Sequence, residues 1–93
     1  MQSIDFKNRI FKYLNVELFS SSSSLNSQLV DNLIRVRKEN NISQKELANI
    51  CGLQQSNISR IETKKYYPSI DELNRIFNKL GYKVNISVER VKI

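Results

Sequence analysis

From Leu29 to Leu80 the apolar residues come in four bursts at helical spacing, and after Gly81 they come at every second position. The first burst, Leu29, Leu33 and Val36, predicts a helix from about Asn26 to Asn40, closed by the polar turn Glu39, Asn40, Asn41. The second is Leu47, Ala48 and Cys51. Ser43 precedes it with Glu46 three residues on, a capping box that starts this helix at Gln44. Gly52 then supplies the left-handed conformation that ends a helix without a Cβ penalty. Ile58 and Ile61 mark a third, short helix. Ile70, Leu73, Ile76, Phe77 and Leu80 mark a fourth, opened by Pro68 and a second capping box, Ser69 with Glu72, and stopped by Gly81. Four such helices enclose Leu29, Leu33, Leu47, Ala48, Ile58, Ile61, Leu73 and Phe77, so the predicted class is mainly α, a small helical bundle.

Tyr82, Val84, Ile86 and Val88 alternate with Lys83, Asn85, Ser87 and Glu89, which is a strand pattern rich in β-branched residues. A lone strand leaves its backbone groups unpaired, so it must find a partner. Two are available: the same strand of a second copy, or Tyr13 to Phe19, where Leu14, Val16 and Leu18 also alternate. Further upstream Ile4, Phe6, Ile10, Phe11 and Leu14 are too apolar for a free tail and read as an amphipathic helix, while Ser20 to Ser24 reads as a linker. Such an appendage covers its own domain or dimer mate, or docks a partner protein. The expected organisation is an N-terminal apolar segment with a Ser-rich linker over residues 1–24, a helical domain over 25–81 and a strand over 82–93.

The third helix carries the chemistry. With Ile58 and Ile61 turned inward, Gln54, Gln55, Ser56, Asn57, Ser59 and Arg60 surround its start and outer face, a polar surface with almost no charge. Amides pair bidentately with adenine, arginine with guanine, and hydroxyls with either, so this set suits reading of base edges in a major groove. An ordinary solvated helix face is the plain alternative, and the capped helix and glycine turn just before it favour the first reading.

Two short helices around a glycine turn, spelled ISQKELANICGLQQSNISRIE from Ile42 to Glu62, resemble the lambda-repressor-like (Cro-type, XRE) helix-turn-helix family. Ser43, Gln44, Leu47, Ala48, Gly52, Ile58, Ile61 and Glu62 match its pattern, and the likeness spans about Leu25 to Gly81 through Arg37 upstream and Pro68, Ser69, Leu73, Ile76 and Leu80 downstream. The resemblance implies a sequence-specific DNA-binding transcriptional regulator, a repressor, on a palindromic double-stranded operator. It implies base-reading by residues on the face just described, Gln55, Ser56 and Arg60 foremost, a phosphate contact from Gln44, and an internal ion pair between Arg37 and Glu62. Lys45, Thr63, Lys64, Lys65 and Tyr66 are further phosphate candidates, because hydroxyls and cations donate to phosphate without reading sequence. Two departures stand out: Gln54 is a poorer helix cap than the usual Ser or Thr, and Thr63, Lys64, Lys65, Tyr66 and Tyr67 replace the Asn-Gly loop common in the family. Because such regulators read two half-sites about 34 Å apart, the resemblance favours a homodimer, with Val84, Ile86 and Val88 in the pairing strand. A helix-turn-helix followed at once by a short strand also resembles antitoxins of toxin–antitoxin modules, which would add a cognate toxin as partner.

The chain of 93 residues has a net charge of +6, and residues 63–93 hold seven Lys and Arg against three Asp and Glu. That excess fits a polyanionic partner. Histidine is absent and cysteine occurs once, so the commonest general base is missing and no zinc site, catalytic set or cofactor is expected. Cys51 reads as a small buried hydrophobe, and the three Asn-Ile-Ser stretches at Asn41, Asn57 and Asn85 carry no weight without a secretory signal. No apolar run is long enough for a membrane span, and a cytoplasmic location is expected. The competing function is a protein-interaction module that keeps the helical fold without binding DNA. An RNA binder fits less well, since neither aromatics on a sheet face nor a loop clamp is legible.

Overall fold

A computed structural model describes the backbone of residues 2–6, 9–18 and 24–88, and the side chains of residues 13, 14 and 24–87. The elements run β1 (Gln2–Phe6), β2 (Arg9–Leu18), α1 (Leu25–Glu39), α2 (Gln44–Cys51), α3 (Gln55–Glu62), α4 (Ile70–Lys79) and β3 (Tyr82–Val88).

The helix ends follow local chemistry. Both capping boxes form: the Ser43 hydroxyl accepts the Glu46 N–H at 3.0 Å while Glu46 accepts the Ser43 N–H at 2.8 Å, and Ser69 with Glu72 repeats the exchange at 3.1 Å each way. Gly52 ends α2 at φ 68°, in the left-handed region. Ser24, at the end of the expected linker, caps α1 by accepting the Ser27 N–H. Gln54 makes no side-chain hydrogen bond to α3, as its poor capping chemistry implies. The loop after α3 turns at Lys64, whose φ of 61° places it in a conformation that favours glycine.

All eight expected core residues are buried, joined by Leu14, Val30, Val36 and Ile76. Asn26 donates to the Pro68 carbonyl at 2.7 Å, tying the start of α1 to the loop before α4. Asn40 bridges the end of α1 to the start of β3 through the Tyr82 hydroxyl at 3.1 Å.

The N-terminal segment departs from the amphipathic-helix expectation. Its backbone forms β1 and β2, an antiparallel pair, and β2 runs parallel to β3 with Lys12 opposite Tyr82 through Leu18 opposite Val88. The sheet order is β1-β2-β3. The strand thus takes the intrachain partner, the second of the two that the alternation allowed, and β2 satisfies one of its edges. No strand covers the other edge among the described residues. Leu14, 6% exposed, sits in the same core as the helices, so the segment packs on its own domain. The side chains of Ile4, Phe6, Ile10, Phe11, Val16, Leu18 and Val88, and the serines at 20–23, lie outside the described residues.

Candidate nucleic-acid interface

An ion pair sets the position of α3. Arg37 reaches from the last turn of α1 and donates to Glu62 at the end of α3 with Nε at 2.6 Å and Nη2 at 2.8 Å. Its Nη1 donates to the Ile42 carbonyl at 2.9 Å. The two side chains are only 11% and 6% exposed. Hydrogen bonding to Glu62 outweighs burial and raises the Arg37 pKa above its ordinary value. Gln44 Nε2, from the first turn of α2, donates to the same carboxylate at 3.0 Å. Three helices are therefore joined at one carboxylate, and the implied Arg37–Glu62 pair is present in fork geometry. The Gln44 amide, expected at a phosphate, spends one hydrogen on Glu62 and has a second left.

That arrangement also turns the lone acidic side chain of α3 inward. What remains on the outer side is Gln54, Gln55, Ser56, Asn57 and Arg60, all exposed, with Ser59 half-buried. Ser56 and Arg60, four apart, lie opposite the buried Ile58 and Ile61, with Gln55 and Asn57 to either side. No carboxylate interrupts this face, so a polyanion can approach it without repulsion, and the positive end of the α3 dipole adds a small attraction.

The expected phosphate contacts divide into committed and available groups. Thr63 donates its hydroxyl to the Ser59 carbonyl at 2.8 Å, Lys64 pairs with Asp31 at 2.7 Å, and the Tyr66 hydroxyl donates to Glu72 at 3.3 Å. Lys45 and Lys65 are exposed and have no ion pair among the described residues. Val84 is half-buried against the core and Ile86 is exposed. Cys51 is half-buried, and burial pushes its thiol above the usual pKa despite nearby Lys79. One feature was not legible in the sequence: a cleft beside α3 into which Arg60, Arg75 and Lys79 are gathered from two helices. Helical periodicity predicts which residues turn outward on each helix, but not which outward faces meet across a groove.

Among the described residues no group of His, Cys, Asp or Glu is placed to hold a metal ion, and no helix is long and apolar enough to cross a membrane. A helix-turn-helix family model matches residues 33–87, from the middle of α1 through most of β3. The chain is also similar to a Haemophilus influenzae protein named as an uncharacterized HTH-type transcriptional regulator, with 32% identity over 88 residues, 95% of this chain and 86% of that protein. No solved structure gives a significant match. With caps, glycine turn, buried ion pair and exposed third helix in place, this chain belongs to the helix-turn-helix family of DNA-binding regulators, in its XRE-type, lambda-repressor-like branch.

Proposed function

We propose that this chain is a sequence-specific transcriptional repressor that binds a palindromic operator as a homodimer in the cytoplasm. The observation that carries the reading is the exposed, carboxylate-free outer face of α3, held at a fixed angle by the Arg37–Glu62–Gln44 cluster. On it Gln54, Gln55, Ser56, Asn57, Ser59 and Arg60 read base edges, while Gln44, Lys45, Thr63, Lys64, Lys65 and Tyr66 hold the backbone on either side. Lys45 and Lys65 do so directly, and Lys64 must first leave Asp31.

Dimerisation through Val84, Ile86 and Val88 remains compatible with the sheet, because hydrogen bonding in β3 has two edges and β2 uses one. A two-fold axis requires β3 to meet its copy antiparallel. Adjacent residues present their N–H groups to opposite edges, so of Ile86→Pro and Ser87→Pro one should abolish the dimer and leave the monomer folded, and the other should break the β2 pairing. Sedimentation unchanged by both substitutions would remove β3 from the interface.

Selection of bound sequences from a random duplex pool at two salt concentrations tests the main reading. An enriched palindrome with half-sites one helical turn apart is expected. Binding without enrichment, lost at moderate salt, would reduce the contact to charge alone and leave the protein-interaction module as the better account. The finer role of autoregulating antitoxin rests on size and domain order. It is tested by whether co-expression with an adjacent toxic gene restores growth.

A further inference from the structure

The cleft beside α3 encloses about 390 Å³, within the range of small-molecule sites. Leu53, Ile61, Pro68 and Ile76 give it an apolar floor. Arg60, Arg75 and Lys79 stand around it, and none is within ion-pair distance of a carboxylate among the described residues. The one carboxylate in the lining, Glu72, accepts from the Ser69 N–H and the Tyr66 hydroxyl and also feels the charge of Arg75 without pairing with it. Three cations against one carboxylate leave the cleft with a net positive charge, and a bound anion would offset it. A DNA phosphate could supply the charge, but it has no use for an apolar floor.

We propose that this cleft binds a small organic anion with an apolar body, an acyl or aryl carboxylate, and that the bound anion takes Arg60 away from DNA. The body covers Leu53, Ile61 and Ile76, and the carboxylate sits among Arg60, Arg75 and Lys79. The second half of the proposal rests on Arg60 as a base reader; the first half does not.

The probe is 1-anilinonaphthalene-8-sulfonate, titrated into the full chain by fluorescence and displaced by decanoate or by 1-decanol, with circular dichroism recorded throughout. One saturable site per chain is expected, displaced by decanoate and not by the uncharged alcohol. Arg75→Gln/Lys79→Gln, two exposed substitutions, should bind the probe at least tenfold more weakly with an unchanged spectrum. Absence of saturable binding, equal displacement by the alcohol, or unchanged affinity in the double variant would each overturn the site. On a labelled operator duplex, saturating decanoate should lower wild-type affinity at least fivefold. Unchanged operator affinity would overturn the link to Arg60. Should no operator be found, the DNA reading fails by itself, since the probe titration contains no DNA.

Discussion

Replacing Glu62 by alanine removes the acceptor of three hydrogen bonds at once: two from Arg37 and one from Gln44. The Arg37 side chain, 11% exposed in the intact pair, then keeps one partner, the Ile42 carbonyl. It cannot discharge, because an arginine stays protonated throughout the accessible pH range. Stranding one member of a buried pair costs about 3–5 kcal/mol. That is a large share of the roughly 5–15 kcal/mol that holds a small domain together. In a domain of this size each kcal/mol moves Tm by about 4–8 °C, so Glu62→Ala should lower it by at least about 12 °C. Urea unfolding followed by far-ultraviolet circular dichroism measures the loss as a change in midpoint at constant slope. Arg37→Met/Glu62→Leu supplies the control. It removes both charges and fills the space with hydrocarbon, and buried pairs replaced in this way are often neutral or gain about 1–4 kcal/mol, so most of the single-variant loss should be recovered. A loss below about 1 kcal/mol for Glu62→Ala would mean that the pair behaves as a solvated surface bridge, and the clamp would lose its energetic basis.

Arg60→Ala should cost about 1–3 kcal/mol on the preferred site and relax base preference at one position, whereas Lys65→Ala should weaken all sequences alike and lower the salt slope by about one. Fluorescence anisotropy on preferred and random duplexes separates the two, and equal losses for Arg60→Ala would remove it from the reading face. Lys64→Gly removes a left-handed lysine whose backbone conformation costs about 1–2 kcal/mol and forfeits a solvent-screened pair with Asp31, so thermal stability should rise slightly while affinity for every duplex falls. A lower Tm would show that the turn does not carry that strain. Hydrogen bonds from the Ser43 backbone and hydroxyl hold Glu46 below its ordinary pKa, and the Ser69 backbone N–H does the same for Glu72. A carboxyl lowered by folding stabilises fully above its unfolded pKa and loses that contribution as pH falls through the folded one. The urea midpoint should therefore drop below about pH 4, near the ordinary glutamate value, and Glu46→Gln/Glu72→Gln should flatten that limb. An acid limb as steep in the double variant would place the titrating groups elsewhere.

What could be read in advance depended on how far apart along the chain the interacting groups lie. The start of α2 at Gln44, the stop at Gly52 and the start of α4 after Ser69 were legible because a cap joins residues three apart. The eight core residues were legible for the same reason, since each helix buries a face that its own periodicity declares. The exposed polar face of α3 followed by subtraction from Ile58 and Ile61. Less visible were the intrachain partners of the residues expected at phosphate. Gln44 meets Glu62 across 18 positions, and Lys64 meets Asp31 through a turn whose path the sequence did not specify. Residue type predicts what a side chain can donate to, while the crossing of helices decides what it meets.

The N-terminal segment shows the same limit more sharply. Leu14, Val16 and Leu18 alternate as a strand should, yet Ile10 and Phe11 are adjacent and Ile10 and Leu14 are four apart, so the stretch fits either period. Strand preference is weak until a partner is known, and β3 pairs with β2 about 70 residues away in sequence. A parallel partner needs a crossover, and here the crossover is the four-helix domain itself. The family match begins within α1 at residue 33, whereas the match to the Haemophilus influenzae relative leaves only about five residues of this chain uncovered and so takes in most of β2. The family match therefore takes in the latter part of α1, the other three helices and most of β3, and leaves out β1 and β2. The N-terminal strands give β3 a partner within the chain, so the proposed dimer contact through β3 would join two preformed sheets at their edges rather than rescue two unpaired strands.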